Sequence, residues 1–283
     1  MQTIDGHFEA TSLTTVAAHT EVVVESKSSV RDVVITMAEA DTSCAFVMDE
    51  GHLLGVFTEH DVTSHVVDAP DVWDQPVDAF MSEEPHVLDG GDNALQALRL
   101  MSEKGFRNLP VVVDAAGTLA NVTHYDLIGV ASNFLENEEL ESDDFHPWHA
   151  LRFVNFYGMP SRIPLEVAID DSLQVTIQAM RTADRGLASV VDDRGVVIGE
   201  FTEHDVFSKV ACRVEDLYDE EVGNWMTRAF ASTSPLSPIS DGLKLMSARR
   251  HRYLVLVNET GRPLGVVTFG DIAKYFGAAF ETA

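Results

Sequence analysis

The six-residue string FTEHDV occurs twice in this chain, at Phe57–Val62 and at Phe201–Val206. It contains a threonine followed three residues later by an aspartate. An ionised carboxylate only accepts hydrogen bonds, so it suits the adjacent hydroxyl donors of a ribose. A threonine hydroxyl beside the free N–H groups of a helix start suits a phosphate. Four such sets recur along the chain: Thr58/Asp61, Thr123/Asp126, Thr202/Asp205 and Thr268/Asp271.

A purely structural role explains the same Thr-x-x-Asp spacing. Threonine followed by an acidic residue at this distance is the pattern of a capping box at a helix start. The acidic member of a capping box is usually Glu or Gln, because reaching the cap N–H needs length, and here it is Asp in all four sets. Repeats inherit residues together, however, so ligand binding and capping both stay open.

Phosphate binding also needs cations, and the basic residues are unevenly distributed. Residues 1–145 contain 5 Lys and Arg against 28 Asp and Glu, whereas residues 146–283 contain 14 against 18. Arginine offers planar, permanently charged donors for phosphate oxygens. We therefore expect the second half to bind anions more tightly. The arginines that it gains in place of Asp41, Glu83, Lys104 and Gly105 are Arg185, Arg228, Arg249 and Arg250.

The repeated string is part of a longer internal repeat. A shift of 144 residues aligns Leu53–Val62 with Val197–Val206, and a shift of 145 aligns Leu98–Asp126 with Leu243–Asp271, both without a gap. Within each half the threonines recur after 65 or 66 residues. The chain therefore consists of four repeats of about 60 residues, arranged as a duplicated pair.

Each repeat has the same order of predicted elements. In the first, EVVVE predicts a short strand, and SSVRDVVITMAEA has the three- and four-residue apolar spacing of an amphipathic helix. SCAFVMD and HLLGVF flank the turn residues DEG and predict an antiparallel hairpin. Thr58 then opens a second helix. The predicted order is strand–helix–strand–strand–helix.

Four repeats of this length and order, each ending in a strand, Thr-x-x-Asp and a helix, resemble CBS domains paired into two Bateman modules. The Met-Ser of Val77–Glu84, the Met-Thr of Val222–Ala229 and the segment Phe106–Pro110 are also similar to that family. The resemblance implies an α+β fold of four β-α-β-β-α CBS units in two pseudo-twofold modules, and we expect consecutive units to pair. The predicted boundaries are 15–68, 72–135, 160–213 and 217–278 for the units and 136–159 for an acidic and aromatic linker.

The resemblance also implies a ligand. In CBS proteins the matching Thr and Asp residues commonly hold adenosine nucleotides in clefts between paired units, so AMP, ADP or ATP is the expected ligand. S-adenosylmethionine is the alternative adenosyl ligand, and Mg²⁺ could accompany a bound polyphosphate. The implied site residues are Thr58, Asp61, Thr123, Asp126, Thr202, Asp205, Thr268, Asp271, Arg107, Arg185, Arg228, His251 and Arg252.

Composition narrows the partners and the location. The net charge of −27 argues against a nucleic-acid-binding surface, because phosphate backbones demand basic patches. No apolar run approaches the roughly 18 residues that a membrane helix needs, and the first residues lack a secretion signal. Two cysteines exclude a disulfide framework, and the eleven histidines form no predicted metal site. We expect a cytoplasmic protein whose acidity reflects either a high-salt cytoplasm or a solubilising surface.

Three classes of function remain. The first is a non-catalytic sensor that binds a nucleotide and passes a change of shape to a regulated protein or to a second copy. The second is a ligand-free scaffold in which Thr-x-x-Asp only caps helices. The third is an enzyme, which ranks last because the chain shows no nucleophile–base pair, Walker loop or dinucleotide loop.

Overall fold

The computed structural model describes residues 4–17, 22–137 and 153–280 of the 283-residue chain. Most of the predicted acidic and aromatic linker, residues 138–152, lies outside the described residues. In the remainder, short strands alternate with helices as the four-repeat pattern predicts. The strands are β1 (Val22–Glu25), β2 (Cys44–Asp49), β3 (His52–Thr58), β4 (Ser82–Glu83), β5 (Leu88–Asp89), β6 (Asn108–Val112), β7 (Leu119–Thr123), β8 (Glu166–Ala168), β9 (Leu187–Val191), β10 (Val197–Thr202), β11 (Ser232–Thr233), β12 (Tyr253–Val257) and β13 (Pro263–Thr268).

The helices are mostly one to four turns long. The α-helices are α1 (Ile4–Ala10), α2 (Leu13–Val16), α3 (Val30–Glu39), α4 (Glu59–Asp61), α5 (Ala94–Lys104), α6 (His124–Asn137), α7 (Leu173–Ala183), α8 (Glu203–Asp205), α9 (Val222–Trp225), α10 (Ile239–Arg249) and α11 (Phe269–Phe280). The π-helices Val62–Val66 and Val206–Val210 continue α4 and α8. Short 3₁₀ helices occupy Pro70–Val72, Val77–Ala79 and Phe156–Gly158.

Each repeat forms one small mixed sheet. The strand orders are β1-β2-β3-β4, β5-β6-β7, β8-β9-β10 and β11-β12-β13. In every sheet the first strand runs parallel to the second, and the second pairs antiparallel with the third through the predicted hairpin. The expected α+β fold with four strand–helix–strand–strand–helix units is therefore confirmed.

The glycine of each Gly-x-x-Thr segment in the first and third repeats packs against a methionine. A Cβ added at Gly55 would lie 2.4 Å from Sδ of Met81, and one added at Gly199 would lie 2.4 Å from Sδ of Met226. These methionines belong to the Met-Ser and Met-Thr segments whose sequences resemble the CBS family. The two motifs are therefore the two sides of one packing contact.

Contacts between residues divide the chain into two compact units. Unit I comprises residues 1–19, 86–163 and 230–283, and it combines the second and fourth repeats. Unit II comprises residues 20–85 and 164–229, and it combines the first and third repeats. Consecutive repeats, which we expected to pair, fall in different compact units. Helices of alternate repeats pack together within these units, and the pairing of consecutive repeats stays a prediction.

In unit I, helices of both repeats contribute to one hydrophobic core. Leu127 and Ile128 of α6 pack in the same core as Leu243 and Met246 of α10, and all four side chains are buried. The N-terminal helices α1 and α2 add Phe8 and Leu13 to this core, among other residues. The segment that precedes the first repeat in sequence therefore packs on the second.

In unit II, each repeat has a core of its own that receives side chains from the other repeat. Val33 and Met37 of α3 pack around the ring of Phe57, and Phe207 and Ala211 of the third repeat join this cluster. A bidentate ion pair adds a polar link: Arg181 Nη1 and Nη2 donate to the two oxygens of Asp68 at 2.6 and 2.7 Å. The first and third repeats are thus joined by both apolar and ionic contacts.

Candidate functional site

Each of the four Thr-x-x-Asp sets begins a helix and is a helix cap. In all four, one carboxylate oxygen accepts hydrogen bonds from both the backbone N–H and the hydroxyl of its threonine, at distances between 2.6 and 2.9 Å. The capping role that the spacing indicates is present everywhere. Any ligand must therefore be bound by atoms of the set that the cap leaves exposed.

The four aspartates differ in exposure, and the difference follows the two compact units. In unit II, Asp61 is 5% exposed and Asp205 is 2% exposed. In unit I, Asp126 and Asp271 are partly exposed, with 20% of the Asp271 side chain accessible. Burial raises the pKa of the Asp61 carboxyl, although hydrogen bonds from Thr58 and the nearby His60 and His65 oppose that rise. Only unit I presents these carboxylates to solvent.

The carboxylate of Asp205 has both oxygens engaged by residues of unit II. Beyond the cap with Thr202, its Oδ1 accepts from Lys209 Nζ at 2.6 Å and from Thr227 Oγ1 at 2.8 Å. Lys209 Nζ also donates to Thr227 Oγ1 at 2.8 Å and to the carbonyl of Trp225 at 3.1 Å. This geometry makes Asp205 part of an internal ion-pair network.

An arginine lies beside the Asp271 set in unit I. Nε of Arg162 lies 3.5 Å from Oδ2 of Asp271. The backbone of Arg162 is held in place because its N–H and carbonyl both pair with Val266, at 2.9 Å each. The guanidinium of Arg252 lies 5.1 Å from the ring centroid of Tyr253. The Asp271 carboxylate therefore lies next to fixed positive charge.

Arg107 and Arg252 shift the pKa values of two titratable side chains, His124 and Tyr253. Desolvation by burial, together with the charges of Arg252 and Arg107, lowers the pKa of His124 to about 3, although Asp271 opposes the shift. Burial raises the pKa of the Tyr253 hydroxyl, but Arg252, Arg107 and Arg162 together outweigh it and leave that pKa below its usual value. We call Arg107, Arg162 and Arg252 with His124, Tyr253 and Asp271 the arginine cluster.

The structure brings together some of the predicted site residues and separates others. The charges of Arg107 from the second repeat and of Arg252 and Asp271 from the fourth repeat all act on His124. His251 precedes Arg252 in unit I, and its N–H donates to the carbonyl of Met246 at 2.9 Å. Two predicted arginines lie in unit II instead: Arg228 is exposed and Arg185 donates to the carbonyls of Ala183 and Asp184.

Three members of the arginine cluster were not predicted. Arg162 lies at the start of the third repeat in sequence, yet its backbone pairs with β13 of the fourth repeat. His124 and Tyr253 are neighbours in sequence of predicted residues, but their chemistry gives no independent signal. Only the tertiary pairing of the second and fourth repeats identifies them.

Grooves lie beside the Thr-x-x-Asp helices in each unit. The groove in unit I has a volume of about 180 Å³, and the guanidinium of Arg250 lies 5.8 Å from the Tyr125 ring centroid at its wall. The groove in unit II has a volume of about 280 Å³ and is lined in part by His60, Arg185 and Glu203. Asp126 lines the first groove.

The charge of the chain is also divided between the units. Unit I contains 11 Lys and Arg against 17 Asp and Glu, and unit II contains 8 against 29. The excess of acid is therefore concentrated in unit II, where the aspartates of the sets are buried.

Among the described residues, no group of three His, Cys, Asp or Glu side chains could hold a metal ion. In the same residues, every helix is too short or too polar to cross a bilayer.

A family model for the CBS domain matches four segments of the chain. The matched residues are 15–68, 77–133, 157–211 and 220–278. These segments include all four strand–Thr-x-x-Asp–helix junctions and together cover most of the sequence.

Known proteins give the same fold. The crystal structure of protein MJ1225 from Methanocaldococcus jannaschii, proposed to be an archaeal homologue of γ-AMPK, matches with a TM-score of 0.75 and 17% identity, over 94% of this chain and 99% of that one. An uncharacterised conserved protein from Pyrococcus horikoshii matches with a TM-score of 0.57 and 18% identity, over 94% and 99%.

Sequence comparison detects MJ1225 independently, at 24% identity over 192 residues. The aligned part is 65% of this chain and 65% of that protein. A meiotically up-regulated protein of Schizosaccharomyces pombe, gene 70 protein, is 31% identical over 117 residues, which are 41% of this chain but 16% of the relative. The chain thus spans less than two thirds of the length of these curated relatives.

Proposed function

The chain belongs to the CBS domain family, and we propose that it is a non-catalytic sensor whose unit I binds an adenine nucleotide at the arginine cluster. The observation that carries the proposal is the contact of Arg162 with Asp271 at 3.5 Å, together with the charges of Arg107, Arg162 and Arg252 that act on the Tyr253 hydroxyl. Binding would then change the affinity of the chain for a protein partner or for a second copy.

The chemistry of the cluster suits the two polar parts of a nucleotide. Asp271 Oδ1 is not used by the Thr268 cap, and a carboxylate oxygen accepts hydrogen bonds from ribose hydroxyls. Guanidinium groups bind phosphate oxygens through paired, charge-assisted hydrogen bonds. A neutral His124 beside them can donate one hydrogen bond without adding charge.

Electrostatics favours unit I over unit II as the anion site. The charges of Arg107, Arg162 and Arg252 act together near Tyr253 and attract a phosphate, whereas Asp205 is buried and already paired with Lys209. Nearby charges outweigh the net charge of the whole chain because salt screens surface charges beyond about 8–10 Å. Relatedness to MJ1225, itself proposed to be a γ-AMPK homologue, agrees with a nucleotide ligand.

A thermal-shift and calorimetric titration of the full chain tests the proposal. The ligands are AMP, ADP, ATP with and without Mg²⁺, and S-adenosylmethionine. We expect saturable stabilisation by at least one adenine nucleotide, since a ligand that binds only the folded state raises its melting temperature. A chain that none of these compounds stabilises is a ligand-free scaffold in which the four sets only cap helices.

Two arginine substitutions localise the site. Arg252→Ala removes a charged donor from the cluster and is expected to weaken binding roughly 10- to 100-fold, from the 1.5–3 kcal/mol typical of a hydrogen bond to a charged group. Arg228→Ala is the matched control, because Arg228 is exposed and lies in unit II. Equal losses in both variants would contradict the assignment to unit I.

A further inference from the structure

The two residues between Thr and Asp in each set are not used by the cap. We call them the middle pair. They are Glu59–His60 in the first repeat and Glu203–His204 in the third, and they are the part of FTEHDV that neither capping nor nucleotide binding requires. In the second and fourth repeats the middle pairs are His124–Tyr125 and Phe269–Gly270.

In unit II the two middle pairs contact each other reciprocally. Nδ1 of His60 lies 2.8 Å from Oε1 of Glu203, and Nδ1 of His204 lies 2.7 Å from Oε1 of Glu59. Both glutamates are 3% exposed, whereas both histidine side chains are about half exposed. Two buried carboxylates therefore each receive a hydrogen bond from the opposite repeat.

In unit I the same positions meet through aromatic rings. The rings of His124 and Phe269 stack edge to face, with centroids 6.4 Å apart. Gly270 presents no side chain, and Tyr125 lies against the guanidinium of Arg250. The corresponding contact of unit I therefore contains no carboxylate from either middle pair.

From these contacts we propose that the middle pair is a pairing code, in which Glu-His recognises Glu-His and the aromatic pairs recognise each other. Each carboxylate receives this hydrogen bond from the opposite repeat only when that repeat supplies a histidine. A mixed pairing with the fourth repeat would place Glu59 or Glu203 against Gly270, which has no side chain, and one with the second repeat would replace the histidine by Tyr125. Loss of a charge-assisted hydrogen bond at a buried carboxylate is costly, so the matched pairing is favoured.

The code explains why Glu-His occurs in both copies of FTEHDV. A contact between two copies of the same pattern related by a twofold axis is self-complementary, so each repeat must supply both a glutamate and a histidine to form both bonds. The pairing also bears on the arginine cluster, and this one step rests on the proposed function. Arg107 of the second repeat and Arg252 of the fourth repeat both act on His124 because these two repeats share unit I.

Recoding the middle pairs in the full chain tests the code. Glu59→His with His60→Tyr gives the first repeat the pair of the second repeat. Glu203→Phe with His204→Gly gives the third repeat the pair of the fourth. Each double variant is a mismatch and should melt about 5–10 °C lower, because it removes two hydrogen bonds and one buried glutamate loses its histidine donor. The fourfold variant restores a match of the aromatic kind and should recover at least half of that loss.

A double-mutant cycle with smaller substitutions tests the code even if a recoded chain fails to fold. Glu59→Gln and His204→Ala remove two partners of one contact, so their combined loss of melting temperature should be smaller than the sum. Glu59→Gln with His60→Ala is the matched control: the substitutions are the same, but these two side chains belong to different contacts, so the losses should add. The code is wrong if both cycles behave alike, or if the fourfold variant is no more stable than the worse mismatch. Neither measurement uses a nucleotide, so the result does not depend on whether the arginine cluster binds one.

Discussion

His60 and Glu203 are 143 residues apart in sequence, yet Nδ1 of the histidine lies 2.8 Å from Oε1 of the glutamate. The inverse contact, between His204 and Glu59, has nearly the same length of 2.7 Å. The two bonds relate the first and third repeats by an approximate twofold axis. They show that alternate repeats of this chain, not consecutive ones, share a compact unit.

Asp205 and Asp271 occupy equivalent positions but should respond differently to alanine. Asp205→Ala removes the cap partner of Thr202 and the 2.6 Å partner of the partly exposed Lys209, so we expect a loss of about 1–3 kcal/mol in the free energy of unfolding. Asp271→Ala should mainly weaken nucleotide binding, because its carboxylate is partly exposed. Urea unfolding and calorimetry measure the two effects. The reverse pattern would place the ligand in the third repeat.

The ion pair between Asp68 and Arg181 should make unit II sensitive to acid. Hydrogen bonds from Arg181 hold the pKa of Asp68 below its usual value of 3.8, despite partial burial. A carboxyl whose pKa is lower in the folded state stabilises the protein above the unfolded pKa, and this contribution is lost as the pH falls through the folded value. Asp68→Asn should therefore cost about 1–3 kcal/mol at pH 7 and progressively less below pH 3.8.

Melting curves of Asp68→Asn between pH 7 and pH 3 check this window. Asp71→Asn is the control, because Asp71 is exposed and lies close by in sequence. A difference from the unmodified chain that stays constant down to pH 3 would show that the ion pair is not the cause.

His124 should destabilise the protein on mild acidification. Its folded pKa of about 3 lies below the usual 6.5, so below pH 6.5 the unfolded chain takes up a proton that the folded chain does not. Stability should fall as the pH decreases from 6.5 towards 3, by up to about 1.4 kcal/mol per pH unit. His124→Phe, which copies Phe269 of the fourth repeat, should remove this slope. His52→Gln, at an exposed histidine, should keep it.

Two glycine-to-alanine changes should have opposite signs. A Cβ at Gly55 would lie 2.4 Å from Met81 Sδ and 2.7 Å from the carbonyl of Ser82, so Gly55→Ala should cost about 1–3 kcal/mol through overpacking. Gly129 lies inside α6 with no atom within 4 Å of the added carbon, so Gly129→Ala should gain about 1 kcal/mol of helix propensity. Thermal unfolding of both variants checks the signs. A stable Gly55→Ala protein would mean that the Gly–Met contact is loose.

Local patterns in the sequence determined the repeats, their elements and the caps. The three- and four-residue spacing of apolar residues in SSVRDVVITMAEA and the hairpin around DEG depend on neighbours within a few residues. The helix α3 and the strands β2 and β3 could therefore be predicted. The Thr-x-x-Asp caps are equally local, because the bonds join residues three positions apart. The CBS fold follows from repeating that local order four times.

Tertiary structure alone decided which repeats share a compact unit and therefore which side chains meet. Asp271 and Asp205 have the same sequence context, but the Asp271 carboxylate is partly exposed and the Asp205 carboxylate is buried. Lys209 and Thr227 contact Asp205, whereas Arg162 lies beside Asp271. Charge counted over the two halves of the sequence pointed to residues 146–283, whereas charge counted over the compact units points to unit I. Contacts between residues more than 100 positions apart depend on the shape and charge of whole helix faces, and no spacing along the chain records them.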